Sequence, residues 1–90
     1  MIYVIWRSRG SRECYVGQAG DAEGRFYRHF MYGEVPFLPT IEGLEEIVRN
    51  EEPGPYYEVV DVVSKNAALG REQEIAAELA EKGFVVHGGR

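Results

Sequence analysis

The chain opens on an unbroken apolar run, Ile2-Tyr3-Val4-Ile5-Trp6. Its length and composition are those of a strand buried on both faces. A polar, arginine-rich turn follows, and Glu13 to Gly17 reads as a second strand, so the two form a hairpin. Gly17 and Gly20 are expected to end that strand and free the backbone to turn. Asp21 is a good N-cap. Beyond it, Ala22, Phe26 and Phe30 recur at helical spacing and predict a helix to about Tyr32, with Gly24 tolerated at some cost. The prolines of PFLPT stop it. Thr40 caps a short second helix with Ile41, Leu44, Ile47 and Val48 on one side, and EEPGP turns the chain. Tyr56 to Val63, rich in β-branched and aromatic residues, reads as a third strand. Ser64 or Asn66 then caps a third helix that ends at Gly83, with Phe84 to Val86 a candidate for a further short strand. The order β-β-α-α-β-α predicts a single α+β domain spanning residues 1–90, a small antiparallel sheet covered by helices.

One position breaks the pattern. Leu69, Glu72, Ala76 and Leu79, with Ile75 beside them, form the apolar stripe of the third helix, and Glu72 stands where a leucine is expected. Glu74 lies about 200° round the same helix, on the wet side with Arg71, Glu78 and Glu81. Two readings of Glu72 are open. It sits at the stripe's edge and reaches solvent, or it is buried and needs an arginine or a metal ion beside it.

Charge divides the chain. Met1 to Gly33 carries five arginines against Glu13, Asp21 and Glu23, a balance of +2; the remainder carries −7, for a total of −5. An acidic protein repels polyanions overall, so any nucleic-acid contact must use the basic first third. An apolar fraction of 44% is ordinary for a folded core. No run is long enough for a membrane span. The N-terminus lacks the basic lead of a secretory signal. Cys14 is alone, which excludes an internal disulfide and a cysteine-rich zinc site. Together these point to a reducing, cytoplasmic setting.

Arg25 and His29 are four residues apart, so they share one helical face, flanking the stripe of Ala22, Phe26 and Phe30. Arginine can grip a phosphate with two parallel hydrogen bonds, and histidine can exchange a proton. A solvated basic edge is the plain alternative, and Arg28 points further toward water. Tyr3 and Tyr15 fall in the two hairpin strands, where tyrosine also serves as a packing residue. Alternation sends Tyr15 and Cys14 to opposite faces. That weakens a Cys14–His29 nucleophile pair and leaves Cys14 as a small buried hydrophobe.

Taken together, these residues resemble the GIY-YIG nuclease domain. Its first motif appears as Met1-Ile2-Tyr3 and its second as Tyr15-Val16-Gly17. Ten residues after the second tyrosine stands Arg25, with Asp21 on the way; His29 follows one turn later, and Glu72 lies near the start of the last long helix. The resemblance covers essentially the whole chain. It departs at Met1, where the family has glycine, and at Ala19, where many members have serine or threonine. It departs also after the last helix, where His87 is the nearest counterpart of a common asparagine.

The resemblance implies a three-stranded antiparallel sheet flanked by helices, and hydrolysis of DNA phosphodiester bonds with one Mg²⁺ or Mn²⁺ held by Glu72. Arg25 would stabilise charge building on the phosphate. Tyr3 or Tyr15 would take a proton from the attacking water, Tyr3 being the expected base, with His29 a neighbour able to receive the phenol's own proton. A phenol with pKa about 10 is roughly one part in a thousand ionised at pH 7, so half-ionisation needs ~4 kcal/mol of help. Family members usually carry a separate DNA-binding region, so DNA affinity is expected from a further domain or a partner protein. The competing expectation is a non-catalytic binding module on the same fold, using the acidic stretch from Glu42 to Glu52 to hold a protein partner.

Overall fold

A computed structural model describes residues 1–89. The elements run β1 (Ile2–Trp6), β2 (Glu13–Gln18), α1 (Ala22–Tyr32), α2 (Ile41–Arg49), β3 (Tyr56–Asp61), α3 (Lys65–Glu81) and β4 (Val85–Gly88). In the sheet their order is β3-β1-β2-β4. β1 is antiparallel to both neighbours, whereas β4 runs parallel to β2, from Glu13 opposite Val85 to Val16 opposite Gly88. The α+β class stands, but the sheet is four-stranded and mixed, not the three-stranded antiparallel sheet expected.

The fourth strand has a local cause. α3 forms the crossover that a parallel connection requires, leaving from β3 and returning beyond β2. Gly83, at φ +92°, turns the chain out of the helix, and the Val85 N–H donates to the Arg12 carbonyl at 2.7 Å to start the ladder. The short strand expected at Phe84 to Val86 is thus present, shifted to Val85–Gly88, and it joins the sheet in parallel.

The opening apolar run is explained by two cores, one on each face of the sheet. Ile2, Val4, Cys14 and Val16 pack with Ala68 and Ile75 of α3; Tyr3 and Ile5 pack with Ala22 of α1 and with Val35. Each such large side chain contributes about 1.5–3 kcal/mol through burial. α3 is rotated slightly from expectation: Ala68 is buried, while Leu69 is half exposed. α2 buries no residue fully, and Ile41 and Val48 face solvent. β3 stops at Asp61 rather than Val63, because one Asp61 oxygen accepts the Val62 N–H and the other accepts from Arg71.

The caps of α1 and α2 follow the sequence. Asp21 accepts the Gly24 N–H and Thr40 the Gly43 N–H, both at 3.1 Å. Gly24 is more than tolerated, since a Cβ there would lie 2.7 Å from the capping carboxylate. Ser64 takes the N-cap position of α3 without a side-chain bond. Among the described residues, no helix is long and apolar enough to cross a membrane.

Candidate active site

Tyr3 and Tyr15 reach the α1 face of the sheet from adjacent strands. Tyr3 pairs with Gly17, and Tyr15 lies two residues before it on the same face. The sequence marks Gly17 as a strand end that frees a turn, but it lies inside β2. Its role is space. A Cβ there would sit 2.5 Å from the Tyr3 hydroxyl and 3.1 Å from the Tyr15 ring, so glycine lets both phenols lie over the strand.

His29 joins them from α1. It is 1% exposed, the most deeply buried polar side chain among the described residues. Its Nε2 is 2.9 Å from the Tyr3 hydroxyl, and its ring stands edge-on to Tyr15 with centroids 5.0 Å apart. Burial holds His29 below its ordinary pKa, against the pull of the Glu34 carboxylate; the Arg25 and Arg28 charges lower it further. The imidazole is therefore neutral at pH 7. Burial raises the Tyr3 phenol well above its ordinary value, and the neighbouring Tyr15 adds to this; Arg25 opposes it. Tyr15 is raised by burial first and by the Glu72 charge second.

Arg25 sits one helical turn before His29, partly buried. Its charge acts on both phenols and on the imidazole, but no hydrogen bond ties it to them among the described residues. It lines a shallow pocket of about 240 Å³ with Ala19, Gly20, Asp21, Gly24 and Arg28. Arg28 is exposed and stacks on Tyr32, as a surface charge would.

Glu72 is buried, 6% exposed, so it does not reach freely into solvent. Its Oε2 accepts from the Gln18 side chain at 2.9 Å, and the Gly89 backbone N–H, which donates to the Val16 carbonyl, lies nearby. Burial raises its pKa, partly offset by those two donors. Of the two expected partners, an arginine is not paired with it, and no cluster of three acids, histidines or cysteines surrounds it among the described residues. Glu72 belongs to the α3 layer, whereas the phenols belong to the α1 layer. The layers meet at the end of the edge strand β4, where Gly88 and Gly89, both at positive φ, thread between the Tyr15 ring and Ala76 of α3.

The site thus has a contacting group, Tyr3, Tyr15 and His29, flanked by Arg25 and Glu72 at longer range. Sequence reasoning missed three contributors. Gln18 follows the second motif and shares the face of Val16, so strand alternation could have placed it toward α3. Glu34 follows the helix-ending Gly33 and is drawn back to His29. The Gly88-Gly89 pair gave a backbone signal that was not used. Cys14 is on the opposite face from His29, fully buried, its thiol pushed by burial up to about 11. A Cys14–His29 nucleophile pair is therefore overturned. His87 bonds Glu13 at 3.0 Å and is occupied there.

A carboxylate that accepts one side-chain hydrogen bond, from Gln18, retains lone pairs for a cation. It fits a hydrated magnesium ion whose remaining ligands are waters and phosphate oxygens, and does not fit an all-protein cage. Searches against family models, curated proteins and solved structures give no match to this chain.

Proposed function

We propose that this domain is a metal-dependent endonuclease that hydrolyses DNA phosphodiester bonds, as its resemblance to GIY-YIG domains implies. The observation that carries the reading is the Tyr3–His29 hydrogen bond, with Arg25 one helical turn away and Tyr15 edge-on to the His29 ring.

Water is the nucleophile, and its oxygen forms the new bond to phosphorus in line with the leaving oxygen. Tyr3 accepts the water's proton as its own passes to Nε2 of His29. This concerted transfer avoids a free phenolate, which burial makes less accessible than in water. The imidazolium returns its proton to solvent, and the departing alkoxide takes one from solvent. Arg25 neutralises charge building on the phosphate. Tyr15 holds the His29 ring edge-on and orients the phosphate or the water. Glu72 would hold the Mg²⁺ or Mn²⁺, which supplies charge stabilisation to phosphate oxygens when bound. Nicking of supercoiled plasmid with Mg²⁺ tests the reading, Glu72→Gln and Tyr3→Phe serving as paired controls; equal nicking by all three proteins would refute it.

One observation favours the competing binding-module reading. Ile41 and Val48 stay exposed on α2 beside Glu42, Glu45 and Glu46. A protein partner whose capture is lost in Ile41→Asp but survives Glu72→Gln, with no nicking by any variant, would support that reading over the first.

A further inference from the structure

His29 Nδ1 is the one buried side-chain polar atom without a hydrogen bond among the described residues. Such atoms are costly and call for an explanation. The Glu34 carboxylate stands 3.4 Å from it, close enough to pair as charges but not aligned as a hydrogen bond.

The placement of Glu34 is built into the backbone. Gly33 adopts the left-handed conformation at φ +63°, and its N–H bonds the His29 carbonyl. That turn ends α1 and swings the next residue back over the last turn of the helix. On the other side Val35 is 2% exposed, locked among Tyr3, Ile5 and Ala22. Glu34 is therefore fixed between a cap and a core anchor, while its own side chain stays 47% exposed.

The two neutral forms of His29 differ sharply in these surroundings. With the proton on Nδ1, the N–H points toward an anion and Nε2 accepts from the Tyr3 hydroxyl. With the proton on Nε2, a bare lone pair faces a carboxylate inside the protein, and Tyr3 must accept. The second arrangement combines repulsion with an unsatisfied buried acceptor.

We infer that Glu34 is a positioning residue that holds His29 in its Nδ1–H form, leaving Nε2 free to take the Tyr3 proton, and that it balances the imidazolium formed when that proton moves. The catalytic consequence rests on the nuclease reading above; the effect on His29 does not.

The test uses the full chain labelled with ¹⁵N, with His87→Asn to assign the two histidines. Ring-nitrogen shifts are read at pH 8. The wild-type protein shows the Nδ1–H pattern. In Glu34→Ala the ratio of Nδ1–H to Nε2–H falls at least about tenfold, and in Glu34→Gln, whose amide oxygen can still accept, it is largely kept. Unchanged shifts in Glu34→Ala overturn the inference. Activity gives a second readout. Glu34→Ala lowers kcat about ten- to hundredfold with KM unchanged. The acid limb of its pH profile moves to lower pH, because Arg25 and Arg28 are then unopposed around His29, with Tyr3 and Tyr15 its remaining titratable neighbours. An unmoved acid limb in an active variant also overturns the inference. If the shifts respond as stated and the wild type cuts no DNA, the nuclease reading fails and the role of Glu34 on His29 stands.

Discussion

At the scale of single residues, the site is held by absences as much as by side chains. Gly17→Ala drives a methyl against the Tyr3 hydroxyl. The expected cost is about 1–3 kcal/mol in urea unfolding, with loss of the Tyr3–His29 bond; an unaltered midpoint would contradict the packing described. Glu72 carries a burden of the opposite kind. Its folded pKa is raised, so the folded protein resists its ionisation. The stability present below its unfolded pKa is lost as pH rises through the folded value. Glu72→Gln is therefore expected to match the wild type near pH 4 and exceed it at pH 7, while abolishing cleavage, a stability gain at the expense of function. Equal stability at both pH values would remove the claim that this carboxylate is held against its preference. His29 has the other sign. Its depressed pKa makes stability fall as pH drops below its ordinary value of 6.5, until the folded imidazole itself protonates. Unfolding midpoints at pH 7.5 and 5.5 in the Glu72→Gln background isolate that loss.

At the scale of elements, the hairpin and the caps were legible because each obeys a local rule. IYVIW is apolar throughout because both faces of β1 are buried, and Asp21 and Thr40 cap as short polar side chains do. Asp21→Ala is expected to cost about 1 kcal/mol and to loosen the helix that carries Arg25 and His29, measurable as a lower urea midpoint. What stayed hidden depends on non-local pairing. Phe84 to Val86 marked a short strand near β4, but its parallel pairing arises only because α3 returns the chain beside β2, which no local pattern shows. The Glu34–His29 approach likewise depends on a left-handed cap, which sequence marks only as a glycine. The rotation of α3 toward Ala68 was not legible either, because Ala68 and Leu69 both fit a helical stripe through Glu72.

For the whole molecule, the division of charge matters more than its sum. Arg25 stands on α1 within reach of the phenols and Arg28 lies on the exposed side of the same helix, while the acids of α2 and α3 dominate the rest. On the proposed reading, a substrate strand would meet a few cations and one carboxylate that would bind it only through an ion. Weak, steeply salt-dependent DNA binding is expected, with log K falling by about 2–3 per decade of salt for two or three neutralised phosphates. A slope near zero in a fluorescence titration would argue against an electrostatic DNA face. Fusion to a basic DNA-binding domain is expected to raise cleavage at low protein concentration without changing kcat, because it supplies affinity and not chemistry.

Supercoiled plasmid nicking with Mg²⁺, before and after chelation by EDTA, tests the central claim most directly. The wild-type protein converts supercoiled DNA to open circles only with the ion present, and Tyr3→Phe and Glu72→Gln each fall at least about a hundredfold. Nicking that persists in EDTA, or that proceeds at the wild-type rate in both variants, would contradict it.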